Sequence, residues 1–149
     1  MNRQELESIL PHRGRMLLLD ECENIDGAAR GVYNIKGDEF FLDGHFPGNP
    51  IVPGVIQCEI LAQSACVLLD GVVKDGKLAV YTGLNNVKFR SQVKPGDRFE
   101  TEVRLTKVKH PFYFAEGTGS VGGRVCVKAE FSFAVIDAPA SSGGSRPEN

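Results

Sequence analysis

Residues 54–70, GVIQCEILAQSACVLLD, constrain this chain more than any other stretch. Val55, Ile56, Ile60, Leu61, Ala62, Ala65, Val67, Leu68 and Leu69 cover nearly every face of a 3.6-residue helix. Such a helix must be enclosed rather than laid on a surface. Pro53-Gly54 is its predicted entry, because proline suits a first helical turn and cannot extend one backward. Asp70-Gly71 is the predicted exit. With 149 residues and 42% apolar composition, the chain has room for one domain with a core, and this helix belongs at its centre.

The enclosure must come from strands. In RFETEVRLTKVK, Phe99, Thr101, Val103 and Leu105 alternate with Glu100, Glu102, Arg104 and Thr106, a period of two. PFYFAEGTGSV reads as the next strand, closed by a turn at Gly122-Gly123. In RVCVKAEFSFAVI, Val125, Val127, Ala129, Phe131, Phe133 and Val135 are placed on one face. Residues 78–89 form a further strand, followed by the VKPGD turn. Upstream, residues 15–26 are predicted as a strand turning at Asp26-Gly27 into ARGVYNIK. NRQELESIL is a short amphipathic helix ending before Pro11, and one helical turn is expected near DEFF. The result is an α+β domain over 1–137, an antiparallel sheet wrapped around a long central helix. Residues 138–149, APASSGGSRPEN, read as a disordered tail.

Bulk properties exclude several classes. A net charge of −2 gives no general attraction for nucleic acid. The first ten residues lack the pattern of a signal peptide, and no apolar run reaches the ~18 residues of a membrane span. Cys22, Cys58, Cys66 and Cys126 form no C-x-x-C pair and have no histidine at zinc-like spacing, which fits a reducing cytoplasm.

The loop before the helix, GHFPGNPIVPG (44–54), holds three prolines and three glycines around His45. Pro47, Pro50 and Pro53 remove backbone freedom, so the position of the ring is specified. Glu59 is the single acid in the apolar stretch ahead of its Asp70 exit, and burying an ionised carboxylate without partners costs several kcal/mol. It has two readings: a local polar network at a wet seam, or a carboxyl that holds and donates a proton. His45 likewise is either a structural, solvated ring or a base. Between them the N–H groups of the helix N-terminus at Gly54-Val55 point outward, where they would polarise a carbonyl. Base, acid and electrophilic pocket together suit proton abstraction α to a carbonyl with loss of a β leaving group.

These residues resemble the 3-hydroxyacyl-[acyl carrier protein] dehydratases of the FabZ type. ILPHRGRMLLLDE is similar to the opening motif of that family, FFLDGHFPGNPIVPGVIQCEILAQ to its long central signature, and LNNVKFRSQVKPGD to a downstream motif. The resemblance implies a hotdog fold and a homodimer, often a trimer of dimers. It matches His45 and Glu59 to the catalytic pair, contributed by opposite subunits, and Gly54 and Val55 to the site that binds the thioester carbonyl. It implies reversible dehydration of a (3R)-3-hydroxyacyl thioester to the trans-2-enoyl thioester, with no metal or organic cofactor. His45 would take the C2 proton. Glu59 would protonate or position the departing hydroxyl, and Gln63, one turn on, would orient Glu59.

The acyl chain needs an apolar tunnel, for which Ile56, Ile60, Phe89, Phe112 and Phe114 are candidates beside their reading as plain core. The acidic carrier protein needs a basic rim, for which Lys88, Arg90 and Lys94 are the first candidates and Arg104, Lys107 and Lys109 the weaker ones. Two departures stand out: Gly14-Arg15 where common members carry an aromatic–Pro pair, and Cys58 directly before Glu59, read as apolar packing. In one branch of the wider family the acid is Asp and double-bond isomerisation is added; Glu59 favours plain dehydration. The competing functions are a hotdog thioesterase and a non-catalytic acyl-binding scaffold.

Overall fold

The computed structural model describes residues 1–43, 48–73 and 76–137; His45 and the 138–149 tail lie outside the described residues. Strands β1 (Glu21–Ile25), β2 (Ala28–Asn34), β3 (Lys77–Phe89), β4 (Arg98–Lys109), β5 (Phe112–Val121) and β6 (Arg124–Asp137) form one sheet. Every pairing is antiparallel, and the order is β1-β2-β4-β5-β6-β3. Two hairpins close as the sequence predicts. Asp26-Gly27 joins Ile25 to Ala28 and Gly122-Gly123 joins Val121 to Arg124, all four turn residues having positive φ. Two successive positive-φ residues match the right-handed twist of the strands they join.

Helix α1 covers only Arg3–Leu6, shorter than the pattern predicts, and is held by a capping box between Asn2 and Glu5. Helix α2 runs from Gly54 to Cys66 and tightens into a 3-10 turn over Val67–Leu69. The sheet curls round α2. Phe99, Thr101 and Val103 of β4, Tyr113 and Ala115 of β5, and Phe131 and Phe133 of β6 are buried with Ile60, Leu61 and Ala65 of the helix. This is the wrapped-helix arrangement that the sequence requires. Not all of the enclosed face is apolar: Gln57, Gln63 and Ser64 are buried too. The Ser64 hydroxyl donates to the Ile60 carbonyl at 3.0 Å, and its oxygen lies 2.7 Å from Thr101 Oγ1, a polar tie between helix and β4.

Two local expectations fail for identifiable reasons. Residues 15–20 are not part of the first strand. Gly14–Met16 forms a 3-10 turn, and Leu17, Leu18 and Leu19 follow without a ladder partner, all three fully buried. Three consecutive buried leucines break the period of two that a half-buried strand needs. In β6, Val125 faces solvent while its neighbour Cys126 is buried. Gly119 pairs with Val127 but Ser120 pairs with Val125, so Cys126 is the extra residue of a bulge that reverses the alternation.

Candidate active site

Glu59 sits on the second turn of α2 with its side chain about one quarter exposed. It borders a cavity of about 240 Å³ lined by His12, Ala62, Gln63, Cys66, Ala79, Val80, Tyr81 and Phe133. The adjacent turn of the helix supplies its nearest support. Gln63 Nε2 donates to Glu59 Oε2 at 3.0 Å and also to the Met16 carbonyl at 2.9 Å, while Gln63 Oε1 accepts from the Leu18 N–H at 2.8 Å. The i, i+4 spacing places amide and carboxylate on one stripe of the helix. The Gly14–Met16 turn and the buried leucines fix the amide from the other side. The leucine run that fails as a strand thus serves as a backbone bracket for Gln63.

His12 carries no mark of a site residue in the sequence beyond its place in the LPHR motif. Its Nε2 lies 3.2 Å from Glu59 Oε2. The signal in the sequence was only its position after Leu10-Pro11, ahead of a turn. The rest of the cavity wall is aromatic and apolar. Tyr81 donates its hydroxyl to the Cys58 carbonyl at 2.7 Å and packs edge-on to Phe131. Burial pushes the Tyr81 hydroxyl far up, so it keeps its proton for that bond. Burial first, and the Glu59 carboxylate second, push the Cys66 thiol up to about 12; it lines the cavity as a neutral group. Among the described residues no set of three or more His, Cys, Asp or Glu side chains is placed to hold a metal ion.

A second feature lies at the start of the same helix. Ile56 and Gln57 donate their N–H groups to the Pro53 carbonyl, whereas those of Gly54 and Val55 make no backbone hydrogen bond among the described residues. A cleft of about 510 Å³ opens there, lined by Ile51, Val52, Gly54, Val55, Gln57, Phe89, Arg90, Ser91 and Gln92. The Phe89 ring lies directly over Gly54: a Cβ added at 54 would stand 2.6 Å from Phe89 Cζ. Only glycine lets the ring approach the helix terminus so closely.

A family model described as a FabA-like domain matches residues 10–130. The chain belongs to this family. Among curated relatives, the "3-hydroxyacyl-[acyl-carrier-protein] dehydratase FabZ" of Natranaerobius thermophilus is 40% identical over 136 residues, 89% of this chain and 96% of the relative. The protein of the same name from Alkaliphilus metalliredigens is 41% identical over 140 residues, 92% of this chain and 95% of the relative. Among solved structures, the dehydratase heterocomplex ApeI:P of Xenorhabdus doucetiae superposes with a TM-score of 0.75 at 22% identity, over 89% of this chain and 91% of that one. A probable thioesterase of Bartonella henselae gives 0.60 at 14% identity, over 75% and 92%. At such identities these likenesses speak for the fold alone, and the fold is the hotdog.

In this FabA-like chain the predicted site residues fall into separate groups. Glu59 and Gln63 meet at the cavity; Gly54, Val55 and Phe89 meet at the cleft. Ile60 is fully buried in the core, and Ile56 is half-buried against it. Phe112 and Phe114 lie on β5. They project from the face of β5 opposite Tyr113, which stacks on Phe133 of the cavity wall, and Lys107 lies over the Phe114 ring. Period-two alternation puts neighbours of Tyr113 on the far side of the sheet; Tyr81 and Phe133 are the aromatic lining of the Glu59 cavity. Lys88, Arg90 and Lys94 are exposed, and among the described residues none of them forms an ion pair. Arg90 borders the cleft. Arg104 is engaged with Glu102 at 3.5 Å, and Lys109 is exposed. Arg15, the departure in the first motif, donates from Nη2 to the Asp38 carbonyl at the foot of the loop that carries His45.

Proposed function

We propose that this chain dehydrates a (3R)-3-hydroxyacyl thioester, carried on an acyl carrier protein, to the trans-2-enoyl thioester in fatty-acid biosynthesis. The observation that carries the reading is a carboxylate on an enclosed helix, fixed by Gln63 at the mouth of a small apolar cavity. Relatives named for this activity align with nearly the whole chain. The thioester carbonyl accepts hydrogen bonds at the α2 N-terminus from the N–H groups of Gly54 and Val55. His45 removes the C2 proton, and the electrons of that bond form the C2–C3 double bond. The C3–O bond breaks, and Glu59 delivers the proton with which the hydroxyl leaves as water. The acyl chain runs along Ile56 and Phe89, with Ile60 behind them in the core. Lys88, Arg90 and Lys94 form the basic rim for the carrier.

The working unit is a homodimer, and a trimer of dimers is its further assembly. β3 is an end strand of the sheet, thirteen residues long, and bears Tyr81, Leu84 and Phe89 at least a third exposed. A long apolar edge of this kind is a template for pairing with a second chain. The Glu59 cavity borders this same strand through Ala79, Val80 and Tyr81, so a second copy docked on this edge would lie beside it. The four free thiols suit a cytoplasmic enzyme.

The test is to incubate the protein with a crotonyl or 3-hydroxybutyryl thioester and follow enoyl absorbance and free thiol. Interconversion without thiol release is expected; thiol release would mean a thioesterase, and silence in both a scaffold. His45→Ala and Glu59→Gln each lower kcat by at least about a hundredfold. Mixed and reassembled, the two inactive variants recover about a quarter of wild-type activity, because half of the dimers are mixed and each holds one intact site. Near-normal turnover of either folded variant removes that residue from the mechanism, and no recovery on mixing removes the shared site.

A further inference from the structure

Two nitrogens approach the same oxygen of Glu59, one of them through a hydrogen bond. Gln63 Nε2 is 3.0 Å from Oε2, and His12 Nε2 is 3.2 Å from it. The other face of the imidazole is closed: His12 Nδ1 is buried and has no hydrogen-bond partner among the described residues. An orphaned buried N–H is rarer and costlier than an orphaned lone pair. The arrangement therefore assigns the lone pair to Nδ1 and the proton to Nε2, the nitrogen that lies 3.2 Å from Oε2. The backbone beneath the ring is braced as well. Arg13 Nη1 donates to the carbonyls of Leu10 at 2.7 Å and His12 at 2.8 Å, and Arg13 Nη2 to that of Glu7 at 3.0 Å.

We infer that His12 is a positioning residue for Glu59. The Gln63 N–H bonded to Oε2 and the His12 nitrogen 3.2 Å from it pin the carboxyl group in one rotation and leave Oε1 as the oxygen that meets the substrate hydroxyl. A carboxyl held by one donor turns about its terminal bond, which is a broad, soft torsion. A carboxyl bonded from α2 and flanked on the same oxygen by a ring nitrogen of the Pro11–Arg13 segment does not. His12 does not contact the reacting atoms in this scheme; it acts through Glu59. The inference rests on the dehydratase reading, and wild-type turnover is the control that separates the two.

His12→Ala is expected to lower kcat by about tenfold or more, on the scale of losses from small misplacements of a reacting group, with KM changed less than about threefold. His12→Gln, whose amide can reach the same oxygen with an N–H, is expected to restore kcat to within about threefold of wild type. A role in packing alone predicts the reverse: Gln no better than Ala, and a fallen melting temperature accounting for the loss. Histidine 15N spectra of the folded wild-type protein give a reading that needs no substitution. The Nε2–H tautomer is expected, with its Nε2 signal moved in Glu59→Gln. If the wild type turns over substrate and His12→Ala matches it, or if the Nδ1–H tautomer is found, the inference is overturned. If the wild type is itself inactive, the dehydratase reading has failed, and the spectrum alone decides whether His12 donates to Glu59.

Discussion

Glu39 shows how a charged side chain is kept inside this molecule. It is buried, yet its carboxylate accepts from the N–H groups of Lys36 and Gly37, each at 2.8 Å, and from the Tyr33 hydroxyl at 3.2 Å. Burial works to raise its pKa; the backbone donors and the hydroxyl outweigh burial and hold it below the ordinary 4.5. A depressed carboxylate stabilises the fold above its unfolded pKa and loses that contribution as pH falls through its folded pKa. Glu39→Gln is therefore expected to cost about 2 kcal/mol in urea unfolding at pH 7, since charged hydrogen bonds are replaced by poorer ones. The gap between variant and wild type should narrow once the pH drops below 4.5. An unchanged midpoint at pH 7 would show that the turn before Phe40 stands without it. Gln63 makes the complementary case with a neutral amide. Its oxygen meets an N–H, and its nitrogen meets a carbonyl and a carboxylate. The two ends cannot be exchanged, so the group is specified in direction as well as in place.

Among the secondary-structure elements, the strands were the most legible part. The alternation in β4 predicts Phe99, Thr101 and Val103 on the inner face, and all three are buried. What the pattern could not carry was register. Whether Val125 or Cys126 faces inward depends on where β5 and β6 slip past each other, and that slip is set by pairing rather than by either strand alone. The same limit applies to Leu17–Leu19, whose fate depends on Gln63 in a distant helix. Close strand packing yields a test. A Cβ at Gly119 would stand 2.1 Å from Cζ of Phe99, which is fully buried. Gly119→Ala is expected to destabilise the protein by about 2 kcal/mol through overpacking, read as a lower urea midpoint with an unchanged slope.

For the whole molecule, Glu59 and the wrapped helix were readable because a lone acid in an apolar run and an all-round apolar helix are local signals. His12 was not, because nothing near it in the chain announces that its ring will meet a helix laid down much later. His45 lies outside the described residues, and the shared site is part of the proposal. The β3 edge offers the test at this scale. Leu84→Lys, at a position 46% exposed on that edge, should shift a dimer to monomer mass in light scattering and lower turnover by at least about tenfold. A variant that stays dimeric and fully active would place the interface elsewhere.

The sheet order carries a consequence for the timing of folding. β3 has one ladder partner in the described chain, β6, the last strand to be made. Until Arg124–Asp137 has emerged from the ribosome, β3 has nowhere to dock, although it was synthesised some forty residues earlier. Tyr81 and Phe89 are on that waiting strand. Helix α2 must then remain bare along the flank they cover through most of translation. A nascent chain stalled within β6 would expose its most apolar helix and both halves of its site together, the state most open to capture by chaperones.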